Sequence, residues 1–386
     1  MTRSDPVPGA GWMPIAAAAL DVRGHAAFDP RVEIVLLPVD GGEPLALFGD
    51  GARVWRSLIG ALPTADEDLP ADDLGIVRDL SSAGLAVFAA GHPDAVRSLE
   101  TPRYPSPLHE LVHVVVARVA ERRSIRCVFV KGPELRHQGL RERGHSGDVD
   151  VWCEPRRWVE LVAALGSLGW SREPDPWWGT PVGHSATLAP LDWGCQIDVH
   201  RRMPGMTIDD DEAFARVFDA CESVRVAGRS VRVPARDAHA VIAALHAARP
   251  EVGRGASPSG LDLASDLLRR LDDPVGACER LTAVPALREA LLRAVPDAEL
   301  PSDRGVPRDW AWRDRPDRAR AYFAALGEYG LRARATLLWR LVWPSAEVAI
   351  ESARRAGYAG EGPLRARLHR VLRGVRGLLT GRVARR

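Results

Sequence analysis

The sequence predicts an α+β protein in three parts: a small mixed module, a β-rich core and a helical C-terminal region. Three observations predict this. Short apolar runs bounded by Gly, Asp and Pro recur as far as Val233, and from Asp237 onward the spacing turns helical. A Pro-rich stretch, Thr101 to Pro107, divides the first part from the second. With 386 residues, 46% apolar content and Trp at twelve positions, the chain has room for two or three domains with sizeable cores.

In order, residues 1–24 are dominated by Pro and Gly and are expected to form a flexible N-terminus. Residues 25–100 read as one module. Val32 to Leu37 is a strand, Asp40-Gly41-Gly42-Glu43 a hairpin turn, and Pro44 to Phe48 the returning strand. Asp50 to Ile59 is an amphipathic helix with Val54, Trp55, Leu58 and Ile59 inward. Leu74 to Ala83 is a second helix, stopped by Gly84, and Leu85 to Phe88 a last β-segment. The first hundred residues carry seven Arg against fifteen acids, which argues against nucleic acid as a partner there.

Residues 101–107 are the linker, and 108–236 the expected core. Leu108 to Glu121 is a helix and Ile125 to Val130 a buried strand. Pro155 opens a helix that runs to Leu168 and closes at Gly169. Asp175 to Pro181 is an irregular loop. Its Trp177 and Trp178 have two readings, stacking on a nucleotide base or tucking onto the core. His184 to Leu188 and Gly194 to Val199 pair as strands, and Val224 to Val233 is a hairpin. The helical region, 237–386, includes Ala238 to Ala248, Leu261 to Leu271 and Leu331 to Val342, with breaks at 250–260 and 298–318. The tail from Gly362 has eight arginines and no acid, with leucines between them. It reads either as a basic amphipathic helix for a membrane surface, an acidic partner or RNA, or as a packed final helix with a solvated Arg face.

The chemistry concentrates between Ile125 and Val151. Lys131 is the only lysine in a chain with 51 arginines, and it stands where a buried strand ends, before Gly132-Pro133. A compact ammonium beside the first turn of a helix makes an anion site. Asp148 and Asp150 alternate on a strand, so both project from one face while Val149 and Val151 turn into the core. Adjacent carboxylates raise each other's pKa and are kept to hold a cation, and hard oxygens suit Mg²⁺. A third acid, Asp198, sits inside the apolar run Ile197-Asp198-Val199-His200. Three carboxylates on neighbouring strands suit two-metal phosphoryl transfer.

Lys131-Gly-Pro-Glu-Leu135, Gly147-Asp-Val-Asp-Val-Trp152, the helix from Arg156 to Trp170 and Gln196-Ile-Asp-Val-His200 together resemble an uncharacterised nucleotidyltransferase family of the DNA polymerase β-like superfamily. The resemblance spans roughly residues 108–380. It implies a polymerase β-like core with a mixed sheet, an NTP, an acceptor and two Mg²⁺ as partners, and Asp148, Asp150 and Asp198 as catalytic and metal-binding acids. Lys131 and Gly132 would form the phosphate turn. Where the family often has an Arg, this chain has Gly144, leaving Arg143 or His145 to take the role. Ser146 and His200 complete the expected substrate-binding set, and His246 stands near a family histidine. In the first part, Leu45 to Leu58 followed by Val77 to Phe88 resembles the PqqD-like winged-helix pattern. That implies a leader peptide as partner and modification of a ribosomally made peptide. A module that only packs is the alternative reading.

The five cysteines lack metal-site spacing and are expected to be reduced thiols. No apolar run reaches eighteen residues, and the expected location is the cytoplasm. Two other functions fit parts of the sequence: a non-catalytic peptide-binding protein, and a metal-dependent glycosyltransferase using the Asp-x-Asp pair. Lys131-Gly132 and Asp198 weigh against the second.

Overall fold

The computed structural model describes residues 9–142, 147–180, 182–252, 255–302, 307–315, 318–327, 329–358 and 362–380. The expected substrate residues Arg143, His145 and Ser146, with Gly144, lie outside these. The first part holds β1 (Gly11–Pro14), β2 (Ala18–Asp21), β3 (Ile34–Leu37), β4 (Leu45–Leu47), α1 (Gly49–Ser57), α2 (Ala71–Ser82) and β5 (Ala86–Ala89). The core follows with α3 (Pro107–Arg122), β6 (Cys127–Phe129), α4 (Glu134–His137), β7 (Asp148–Cys153), α5 (Trp158–Gly166), β8 (Trp170–Arg172), β9 (Ser185–Pro190) and β10 (Gln196–His200). Then come α6 (Asp210–Asp219), β11 (Glu222–Val226) and β12 (Arg229–Val233). The rest is helical: α7 (Arg236–Ala248), α8 (Pro258–Arg269), α9 (Pro274–Arg280), α10 (Val284–Ala294), α11 (Arg308–Ala311), α12 (Arg318–Gly327), α13 (Leu331–Val342), α14 (Ala346–Arg354) and α15 (Pro363–Thr380).

The central sheet has the order β6-β7-β10-β9-β8. It is mixed, because β7 and β10 run parallel while the other pairs are antiparallel. Strand alternation gives it two apolar faces. Val149, Val151, Cys153, Ile197 and Val199 pack with α3 and α5. Trp152 packs on the other side with α6, α7 and α8, its ring 5.5 Å from that of Phe214. The acids of β7 and β10 alternate with the first set and therefore share the α7 side. α3 begins where Ser106 accepts from the His109 N–H and Pro107 fills the first turn.

The first part corrects two expectations. Residues 1–24 are not loose where described. β1 and β2 fall there, and Met13 and Leu20 are buried. Ala-rich β2 lacks the polar-apolar alternation that marks a half-exposed strand, because both its faces are covered. In the sheet β2-β3-β4, Ala19, Ile34 and Leu36 face Trp55 and Val77, whereas Leu20, Val35 and Leu37 share a core with α3. Ion pairs fasten this seam. Asp94 accepts from both Arg118 and Arg229, the latter at 2.6 Å, and Arg229 also donates to the carbonyl of Ala17 at 2.8 Å. Residues 28–92 thus bury one face of this sheet in a core of their own, with Trp55, Leu58, Val77 and Leu80, while Val35 and Leu37 on the other face pack with α3. The linker is equally well held: Tyr104 is buried and its hydroxyl donates to Glu134 at 2.8 Å.

Smaller differences follow from short-range signals. α5 starts at Trp158, three residues after Pro155, and β8 occupies Trp170–Arg172 just past Gly169. The tail reverses the expected orientation. Ala366 is buried against α14, Arg367 and Arg370 donate to the carbonyls of Pro344 and Leu341, and Leu364, Leu368 and Leu372 are exposed. Long guanidinium side chains reach backbone acceptors there, which leucine cannot do.

Candidate active site

The site grows from the ends of β6, β7 and β10. Register sets Asp198 beside Asp150 across the parallel pair, and Gln196 beside Asp148. Asp150, Asp198 and His200 come together, with ligand atoms all within 4.8 Å of one another, as the one potential metal-binding group among the described residues. The structure thus unites two of the three expected acids and adds His200. Asp148 starts β7, and its carbonyl oxygen is 2.9 Å from His109 Nε2.

Asp150 is the electrostatic centre. Lys131 Nζ lies 2.5 Å from its Oδ1, and His200 Nε2 lies 2.8 Å from the same oxygen. Burial pushes this carboxyl up, but the His200 hydrogen bond and the charges of His200 and Lys131 outweigh that and hold it at about 2. Mutual repulsion between Asp148 and Asp150, expected from their spacing, is not what sets this group. His200 Nδ1 is buried without a hydrogen-bond partner. Asp198 accepts a hydrogen bond from Thr187 on β9 at 2.6 Å, and Thr187 is its register partner.

Lys131 and Gly132 are both left-handed, with φ of 60° and 58°. For lysine this is an uncommon conformation that needs support. Buried His239 supplies it. Its Nε2 accepts from the Lys131 N–H at 2.6 Å, while its other nitrogen contacts Gln138 Oε1 at 2.7 Å. Burial lowers the His239 pKa to about 4, which keeps that nitrogen an acceptor. The turn aims the ammonium at Asp150 rather than at the start of α4, which is only four residues long. Glu134, the first residue of α4, is tied to Arg103 at 2.9 Å.

α7 contributes a second face. A recess of about 20 Å³ is lined by Lys131, His184, His200, His246 and Arg249 among others. His246, expected near the site, is therefore at its edge. Arg249 reaches His184 Nε2 at 2.8 Å. Both tryptophans of the 175–181 loop pack onto apolar neighbours, as the second reading has it, Trp177 on Tyr322 and the cluster around Trp312. Trp178 packs on Trp158 with ring centroids 4.5 Å apart, while Trp177 lines a separate cavity beside β9.

Sequence reasoning missed Thr187, which meets Asp198 only through strand register, and took His246 rather than its neighbour on the same helix, His239, whose partner Lys131 is more than a hundred residues away. It also passed over His109-Glu110-Leu111-Val112-His113, which has the spacing of a zinc-protease helix. These side chains are otherwise engaged. His109 and His113 contact the carbonyls of Asp148 and His109, and Glu110 accepts from the Tyr104 N–H.

No curated protein matches the chain. Among solved structures, the lincosamide antibiotic adenylyltransferase LnuA with lincomycin bound is 12% identical, with a TM-score of 0.26 over 41% of this chain and 94% of that one. The antibiotic-resistance factor ANT(2'')-Ia is 18% identical, with a TM-score of 0.31 over 48% of this chain and 94% of that one. An antigenic nucleotidyltransferase-like protein from Paracoccidioides brasiliensis is 11% identical, with a TM-score of 0.31 over 50% and 89%. Residues 109–283, which hold Lys131, Asp150, Thr187, Asp198, His200 and His239, match the family model for uncharacterised nucleotidyltransferases.

Proposed function

We propose that the chain transfers a nucleoside monophosphate from an NTP to a hydroxyl acceptor. The observation that carries this reading is the side-by-side placement of Asp150 and Asp198, with the ammonium of Lys131 on Asp150. The donor set fits Mg²⁺: Asp150 and Asp198 offer hard oxygens, and Asp148 sits two residues before Asp150 on the same strand. His200 is held to Asp150 and orients it, as an outer-shell partner does. When bound, the two ions would neutralise the triphosphate and acidify the acceptor hydroxyl.

The chain's own groups then have separate tasks. Lys131 faces the β- and γ-phosphates, with His246 and Arg249 lining the recess beside it. The acceptor oxygen forms a bond to the α-phosphorus, the bond from that phosphorus to the bridging oxygen breaks, and pyrophosphate leaves. Asp198 takes the hydroxyl proton, held in place by Thr187. Positioned charge supplies most of the acceleration.

Transfer of label from α-³²P-NTPs to an added acceptor extract, with and without Mg²⁺, tests this. Asp198→Asn and Asp150→Asn should each lose at least roughly a hundredfold of the rate. Full activity in both would overturn the assignment. A leader-peptide partner has one supporting observation: β4 is an edge strand, and Leu45 and Phe48 beside it are exposed. Calorimetric titration of the full chain with leader peptides from the same locus checks it, and absence of binding leaves the first part as a packing module.

A further inference from the structure

Beside the metal-binding acids lies a cavity of about 320 Å³ that the reaction as described does not use. We infer that it is the acceptor subsite and that its occupant is a neutral, polyhydroxylated small molecule of sugar or cyclitol size. The inference rests on the transferase reading for its role, and on the cavity itself for the ligand class.

Position comes first. In the sheet order β6-β7-β10-β9-β8, Lys131 follows β6 at one side of Asp150, and the cavity opens beyond β9 at the other. Thr187 belongs to both places, lining the cavity and donating to Asp198 at 2.6 Å. In-line displacement puts the attacking and leaving oxygens on opposite sides of the phosphorus. With the ammonium of Lys131 on the β6 side, the attacking hydroxyl comes from the Thr187 side.

The lining sets the chemistry. Trp177 and Tyr322 form an aromatic wall with centroids 5.4 Å apart, suited to the apolar face of a ring. Trp312 is only 2% exposed, lines the cavity, and its indole N–H has no hydrogen-bond partner. A buried donor without an acceptor is costly, and a ligand oxygen in the cavity relieves it. Asp175 and Glu173 add acceptors for hydroxyl protons. Two arginines, Arg313 and Arg355, line the same cavity, so the formal charges cancel and nothing favours a polycation or a polyanion. The volume is at the low end for small-molecule sites, roughly 300–1,000 Å³.

Saturation-transfer difference NMR on the full-length protein tests this with inositols, methyl hexosides and disaccharides as probes. Spermine, a serine-containing tetrapeptide and the four nucleosides serve as rivals. At least one neutral polyol should bind. Trp312→Phe, which keeps an aromatic ring and removes the N–H, should weaken it roughly tenfold. Tyr322→Ala should weaken it as well, which guards against misfolding of either variant alone. Absence of polyol binding, equal binding in both variants, or displacement by a nucleoside, spermine or the peptide would overturn the assignment. Mg²⁺-ATP binding is measured on the same samples. Nucleotide binding without polyol binding sinks this inference alone. Polyol binding without nucleotide binding sinks the transferase reading and leaves the cavity's ligand class standing.

Discussion

Lys131 shows how composition can point to a residue without saying what it touches. Its isolation among arginines singles it out in the sequence, and its place after β6 was legible there. Its partner was not, because Asp150 lies on another strand and the left-handed turn depends on His239, more than a hundred residues away. The ion pair gives two measurable consequences. Lys131→Ala should raise the Kd for Mg²⁺-NTP by roughly ten- to a hundredfold, the range for a charge-assisted contact. It should also lower stability without nucleotide, since it removes a cation from a buried carboxylate. Lys131→Arg keeps the charge, but a longer planar fork does not fit between Asp150 and the turn, and should restore affinity only in part. Calorimetry and thermal melts of both variants decide this. Wild-type values for Lys131→Ala would place the phosphate-binding cation elsewhere.

At the scale of elements, periodicity carried the reading where one face is buried and the other wet. α1 and the β11–β12 hairpin fall close to where their patterns put them. It failed where both faces are covered, as in β2, and where the element is very short, as in β8. α6 was missed although its signals are plain: Asp209 caps it, acids fill its first turn, and Phe214 and Val217 face inward. α3 carries a prediction of its own. Glu110 is buried near its start, accepts from the Tyr104 N–H through one oxygen, and leaves the other without a partner. Burial pushes its pKa from 4.5 up to about 7, against the pull of backbone N–H groups. The folded state therefore holds this proton more tightly than the unfolded chain does. Its contribution is complete below pH 4.5 and is lost as pH rises through about 7. Glu110→Gln, neutral throughout, should flatten that slope and gain stability relative to wild type, by roughly 2–3 kcal/mol at pH 8. Urea midpoints from pH 4.5 to 8.5 measure it. A parallel pH dependence in the variant would show that another group titrates.

At the scale of the molecule, the decisive feature is the seam between the first hundred residues and the catalytic core. The sequence places a boundary there, because Pro-rich segments usually mark linkers. The chain instead uses the segment to bring two layers together. Tyr104 and Arg103 hold it to Glu134, Leu20, Val35 and Leu37 share a core with α3, and Asp94 binds Arg118 and Arg229 from two separate core elements. None of these contacts is visible in local pattern, since each joins residues distant in sequence. A shared core couples the folding of its parts, because the face of β2 and β3 that carries Leu20, Val35 and Leu37 is buried against the other half. The β2-β3-β4 sheet and the catalytic sheet should therefore unfold as one unit. Hydrogen exchange read by mass spectrometry across a denaturant series checks this: amides of β3 and β10 should lose protection at the same concentration. Asp94→Ala should lower both midpoints together, since it strands two arginines at the seam. Loss of β3 protection well before β10 would instead describe an independent module, and the fragment 28–92 should then fold in isolation.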